Sequence, residues 1–349
     1  MRSGMTALAG LVLVAGCRTG AGTGSASSTP PRVTASARAP GSGGQLEAQY
    51  EEVVKTVLPA VVQINTDSGL GSGVVYDTKG DIVTNDHVVS GARKIQVTSA
   101  SGKKALPATL VGEFAANDLA VVRVKDPALR PARFGDSASL AVGQIVLAMG
   151  NPLGLSGSVT NGIVSALGRT VTSQREGSFP GATIADAVQT SAPINPGNSG
   201  GALVTLNNEV VGIPTLTVSD PQIGGAAAGI GFAIPSNTVK QIADQLISSG
   251  RVSRSGRAAL GVKVRTVVDL QGNVAGVGVV TATRGGPADK AGIRPDDVIV
   301  SVNGVRTATT TALAEALAAL KPGQKVPVEI QHPDGGKRTV TVTLGQLPG

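Results

Sequence analysis

The sequence predicts a mainly β chain that ends in a small α+β module. Three observations carry this. Glycine supplies 48 of 349 residues while aromatics make up 2%, so the cores must be built from Val, Leu, Ile and Ala between frequent turns. From Val61 to about Phe232, short apolar runs such as GSGVVYD, DLAVVRV and GQIVLAMG alternate with glycine and polar breaks, the pattern of a β-barrel or sandwich. Beyond residue 258, strand-like ALGVKV and GVGVVTAT mix with helical TTTALAEALAAL, in a stretch long enough for one domain.

The elements follow in order. Residues 1–17 carry a positive start at Arg2 and an apolar run from Met5 to Ala15. That run is shorter than the ~20 residues a membrane-spanning helix needs and fits a secretory signal. Val14-Ala15-Gly16-Cys17 resembles a bacterial lipoprotein cleavage motif, and Cys17 is the one cysteine of the chain. The expectation is a lipid on Cys17 that holds the protein at the outer face of the cytoplasmic membrane; an ordinary signal peptide is the other reading. Residues 18–45, rich in Gly, Ser, Ala, Thr and Pro, read as a flexible tether.

A first folded unit spans 46–250. Leu46, Tyr50, Val53, Val54 and Val57 recur at helical spacing until Pro59 ends the helix. Residues 236–249 form a second helix, with Ser236 placed to cap it and Gly250 to stop it. Residues 251–257 are a polar linker. In the module 258–347, a short helix is expected near Pro287–Ala291, a hairpin at Asn303-Gly304, and two final strands around His332–Gly336.

Composition excludes several classes. The net charge of +7 is scattered, without a basic block interleaved with aromatics, so nucleic-acid binding is not expected. One cysteine allows no intrachain disulfide. No Cys/His cluster offers zinc ligands, and no cofactor or metal is expected.

Three segments carry chemistry: Thr84-Asn85-Asp86-His87-Val88-Val89, Asn117-Asp118-Leu119-Ala120-Val121-Val122, and Asn195-Pro196-Gly197-Asn198-Ser199-Gly200-Gly201. Acyl transfer needs a nucleophile, a base, a carboxylate that orients the base, and donors for the developing oxyanion. Ser199, His87 and Asp118 supply the first three. The glycine-rich turn at Gly197, Asn198 and Ser199 offers the donors, through the N–H groups of Gly197 and Ser199. The chain has two histidines; His332 lies in a turn of the C-terminal module, so a Ser/His mechanism falls to His87.

These segments, with GNPLGL, SVTNGIVSALGR, INPGNSGGALV and GIGFAIPSNTV, resemble the bacterial HtrA (DegP/DegS-like) serine proteases over about residues 59–346. The resemblance implies a chymotrypsin-like double β-barrel with the site between barrels, then one PDZ domain. It implies catalysis by His87, Asp118 and Ser199 on unfolded exported polypeptides, and a homotrimer. It also implies a carboxylate-binding loop at Ala259, Leu260, Gly261 and Val262, where peptide C-termini add as a strand. The chain departs from the family at Ser191, where members often carry an acid, and in the short Thr66–Leu70 connection. No acid occurs in 191–198, which predicts cleavage after small or medium apolar residues. Two rival readings remain: a chaperone-like binder with little proteolysis, and a PDZ scaffold. An esterase fits poorly, because the Ser199 turn leads into a strand rather than a helix.

Overall fold

The computed structural model describes residues 42–67, 69–99, 105–126, 128–151, 157–173, 178–195, 197–220, 225–268 and 274–348. Expectations for Cys17, the signal and most of the tether lie outside these residues. Helix α1 (Ser42–Val57) begins earlier than its apolar spacing suggests and is followed by a 3₁₀ turn, Leu58–Ala60, that takes Pro59. Val53 and Val57 are buried, whereas Leu46 is exposed.

Two closed barrels follow. The first joins β1 (Val61–Thr66), β2 (Leu70–Val75), β3 (Asp81–Thr84), β4 (Ile95–Thr98), β5 (Leu106–Phe114) and β6 (Leu119–Arg123) in the order β1-β2-β3-β6-β5-β4. The second joins β7 (Ile145–Gly150), β8 (Ser158–Thr172), β9 (Thr183–Thr190), β10 (Ala202–Thr205), β11 (Val210–Asp220) and β12 (Gly225–Pro235) in the order β10-β11-β12-β9-β8-β7. Closure leaves no sheet edge in either barrel. Each is filled by its own valines and isoleucines, and a shared core lies between them with Phe114, Phe179 and Phe232 as its large side chains. Burying each Val or Ile contributes about 1.5–3 kcal/mol. This scaffold fixes the loops at the seam.

Between β3 and β4 a short helix α2 (Asp86–Val89) carries His87. After β12 comes α3 (Ser236–Ser249), stopped by Gly250 at φ 69°. The sequence expectation for Ser236 needs correcting. Pro235 takes the cap position, and Ser236 is the first helical residue. Its fully buried hydroxyl donates instead to the Gly135 carbonyl at 3.0 Å, because a buried donor must find a partner. Residues 251–257 contain no helix or strand, yet Val252 and Ser255 are buried.

The C-terminal unit has its own core. Its sheet joins β14 (Val262–Val268), β15 (Val274–Ala282), β16 (Val298–Val302), β18 (Lys325–Gln331) and β19 (Lys337–Thr343) in that order, with β17 (Val305–Arg306) paired to β16. Asn303 and Gly304, both at positive φ, make the β16–β17 turn. Short β13 (Ala258–Ala259) pairs with β20 (Gly345–Gln346), so both ends of the unit meet. Two helices complete it: α4 (Pro287–Lys290) and α5 (Thr310–Ala318), the latter capped by Thr309 through the Ala312 N–H. The Thr172 hydroxyl of β8 donates to Glu315 of α5 at 3.1 Å, joining this unit to the second barrel.

Candidate active site

The site is built from turns at the barrel seam. Chain leaving β3 turns at Asn85 in extended conformation and enters α2, which aims His87 at β6. Chain entering β6 makes a 3₁₀ turn, Ala115–Asn117, and places Asp118 in the left-handed region at φ 52°. The Asp118 N–H closes that turn on the Ala115 carbonyl at 2.9 Å.

Asp118 is fully buried and therefore needs partners. It has them. His87 Nδ1 lies 2.8 Å from Oδ2 and 3.0 Å from Oδ1, and the His87 main-chain N–H donates to Oδ1 at 3.0 Å. The Thr215 hydroxyl of β11 donates to Oδ2, and Asn85 Nδ2 donates to the Asp118 main-chain carbonyl at 2.9 Å. An ionised carboxylate only accepts. The arrangement therefore assigns the proton to Nδ1 and leaves Nε2 as the basic nitrogen. The Phe179 ring meets the His87 ring edge-on, with centroids 5.8 Å apart at 60°.

Ser199 sits in a tight turn ahead of β10. Gly197 and Gly200 adopt φ of 99° and 80°, and a Cβ on Gly200 would stand 2.2 Å from the Ser72 carbonyl oxygen. Neither demand suits a larger residue. Ser72 of β2 anchors the turn from the first barrel: its hydroxyl donates to the Gly197 carbonyl at 2.5 Å, and its N–H donates to the Ser199 carbonyl at 2.9 Å. The Ser199 hydroxyl donates to the Thr215 carbonyl at 3.2 Å. Thr215 thus touches Ser199 with its main chain and Asp118 with its side chain, so the three motif residues converge on one seam.

The proposed oxyanion donors narrow here. The Asn198 N–H is engaged by the Asn195 carbonyl at 3.0 Å, and its Nδ2 faces the Pro193 carbonyl at 3.4 Å. Asn198 is therefore not a free donor, which leaves Gly197 and Ser199 as the candidate pair. Ser191, which departs from the family pattern, accepts from the Ile163 N–H at 3.0 Å.

Asp86 is a residue that motif reading passed over. It is fully buried beside His87. Burial first, then the Glu113 and Asp118 carboxylates, push its pKa up to about 7, against a small opposing pull from His87. Its place next to His87 was legible, whereas its burial was not. Thr215, Phe179 and Ser72 lay far from the motifs in sequence and carried no signal of their own.

Ala259, Leu260, Gly261 and Val262 form the turn from β13 into β14. Leu260 is buried, and Gly261 takes φ 72°. The Leu260 and Gly261 carbonyls accept from Ala288 and Thr283 N–H groups at 2.9 and 2.8 Å. Beyond this turn β14 runs along the outer edge of its sheet. Among the described residues no group of three or more His, Cys, Asp or Glu could hold a metal ion, and no helix is long and apolar enough to cross a membrane.

Comparison with known proteins places the chain among serine proteases. The trypsin-like peptidase domain matches residues 71–213, and a PDZ domain matches 258–344. Serine protease PepD of Mycobacterium tuberculosis is 41% identical over 92% of this chain and 70% of its own length. A DegP-like probable periplasmic serine endoprotease of Chlamydia trachomatis is 39% identical over 81% of this chain, which spans 55% of that protein. The solved HtrA-type protease AlgW with decapeptide superposes with a TM-score of 0.57 at 30% identity, covering 86% of this chain and 99% of its own. With a trypsin-like peptidase domain followed by a PDZ domain, and with such identity to these serine proteases over most of its length, this chain belongs to the HtrA family of serine proteases.

Proposed function

We propose that this chain is an exported endopeptidase for unfolded polypeptides, with Ser199 as nucleophile, His87 as general base and Asp118 as the orienting acid. The observation that carries it is the buried Asp118 carboxylate, bonded to His87 Nδ1 and tied through Thr215 to Ser199. His87 Nε2 takes the Ser199 proton as the hydroxyl swings from the Thr215 carbonyl and attacks the scissile carbon. The Gly197 and Ser199 N–H groups receive the oxyanion. The imidazolium then protonates the leaving amine, and water releases the acyl group by the reverse sequence.

The unit 258–347 captures peptide C-termini at the Ala259–Val262 turn, where an incoming strand would add to the β14 edge. AlgW, bound to a peptide in its solved structure, lends support by relationship. Export is supported by the apolar start of the chain and by relatives named as periplasmic; Cys17 is the proposed lipid attachment point. Cleavage after small or medium apolar residues is supported by buried Ala192 and Ile194 and by the lack of an acid in 191–198. A peptide-library digest dominated by cuts after Lys or Arg would contradict that preference.

The deciding experiment is casein degradation and fluorophosphonate labelling by wild type and Ser199→Ala. Labelling should vanish, and turnover should fall by about 10⁴-fold or more. Casein turnover that survives Ser199→Ala would rule the assignment out.

A further inference from the structure

Arg257 is the residue immediately before β13, at the junction of the two units. It is an awkward place for a cation. The side chain is partly buried, and among the described residues its Nε is out of solvent without a hydrogen-bond partner. Burial, with no carboxylate among the described residues to offset it, pushes the guanidinium pKa down to about 10. A desolvated charge without a counter-ion costs stability, so its contacts need an explanation beyond packing.

Those contacts point one way. Nη1 donates to the Ala116 carbonyl and lies 3.5 Å from Asn117 Oδ1. Both residues belong to the 3₁₀ turn that delivers Asp118. The next residue is Asp118 itself, in a left-handed conformation that is unfavourable for a residue other than glycine. Such a turn needs support from outside. Arg257 supplies it, and Arg257 is in turn fixed by the C-terminal unit. Its carbonyl accepts from the Leu347 N–H at 2.8 Å. Its N–H meets the Ser255 hydroxyl at 3.2 Å, and that hydroxyl donates to the Leu347 carbonyl at 2.7 Å. Beside it lies a cleft of about 290 Å³, lined by Ala116, Arg257 and Leu347 together with Thr172, Gly181 and Thr310. The junction therefore opens to solvent and is not sealed.

We propose that Arg257 is a positioning residue. It clamps the Ala115–Asn117 turn so that Asp118 stays aimed at His87, and it makes that aim depend on how the C-terminal unit is seated. The inference rests on the triad reading given above.

The test compares wild type with Arg257→Met, Arg257→Lys, Arg257→Ala and Ser199→Ala, all as the full chain. Turnover of a fluorogenic peptide too short to reach the PDZ turn is measured, with circular dichroism to establish folding at the assay temperature. Arg257→Met should lower kcat about 10- to 100-fold while KM stays within about threefold, since a misaimed acid impairs chemistry and not substrate binding. Added methylguanidine should return at least about a tenfold gain in kcat to Arg257→Ala and none to wild type. A folded Arg257→Met with kcat within about twofold of wild type overturns the proposal, as does a loss confined to KM. Should Arg257→Met not fold, Arg257→Lys decides: wild-type kcat there, together with no methylguanidine rescue, overturns it equally. Turnover surviving Ser199→Ala would bring down the triad reading and this inference together. Turnover lost in Ser199→Ala but normal in the Arg257 variants brings down this inference alone.

Discussion

Replacing Asp86 with Asn should stabilise the protein at alkaline pH and leave it nearly unchanged in acid. The carboxyl is fully buried and its two oxygens meet no donor among the described residues. Its near neighbours are Glu113 and Asp118, which are acceptors, and the His87 imidazole. A hydrogen bond to Glu113 exists only when one carboxyl of the pair is protonated. The folded pKa of about 7 lies above the ordinary 3.8, so the native state keeps a proton that the unfolded chain has released. Between about pH 4 and pH 7 stability therefore falls as pH rises, and above pH 7 the full deficit persists. Three units at ~1.36 kcal/mol each set a ceiling of about 4 kcal/mol. Relaxation around the charge brings the expected effect to roughly 2 kcal/mol. Asparagine keeps the shape, carries no charge at any pH, and can donate to Glu113. The assay is denaturant unfolding of Asp86→Asn against wild type at pH 4.5 and pH 8, both in a Ser199→Ala background to prevent self-digestion. A gain at pH 8 of about 2 kcal/mol that shrinks below about 0.5 at pH 4.5 is expected. An equal shift at both values, or a loss at pH 8, would show that Asp86 does not hold the proton.

Thr215→Val removes the hydroxyl that donates to Asp118 Oδ2 at nearly constant volume. A hydrogen bond to a buried charge contributes about 1.5–3 kcal/mol, so kcat should drop about tenfold or more in peptide hydrolysis while fluorophosphonate still labels Ser199 slowly. In the C-terminal unit, His332 Nδ1 bonds Asp297 Oδ1 at 2.6 Å, and Asp297 is buried. His332→Ala should destabilise that unit by about 1–3 kcal/mol, visible as an earlier unfolding transition, with short-peptide turnover unchanged within about twofold.

The motif residues were legible because their chemistry restricts the sequence around them. Gly197 and Gly200 mark backbone that a side chain would obstruct, and a chain with two histidines leaves little choice of base. Helix α3 was legible to the residue because apolar spacing and Gly250 set its ends, yet the role of Ser236 was misread. A serine at a helix start reads as a cap, and only the tertiary fold brings the Gly135 carbonyl to its hydroxyl. The same limit hid Ser72, Thr215, Phe179 and Arg257. Each acts across the seam or the junction, on partners that are distant in sequence, and no local pattern records such meetings. The stretch 251–257 looked polar and loose for the related reason that burial of Val252 and Ser255 comes from neighbours elsewhere in the chain.

The bridge through Thr215 also sets an order of events during synthesis. Its hydroxyl reaches back 97 positions to Asp118, and a ribosome makes His87 and Asp118 first. A nascent chain that ends before β11 lacks the strand that links Ser199 to Asp118, however well its first barrel has closed. Under the proposed triad, hydrolytic competence is thus deferred until both barrels have emerged and docked.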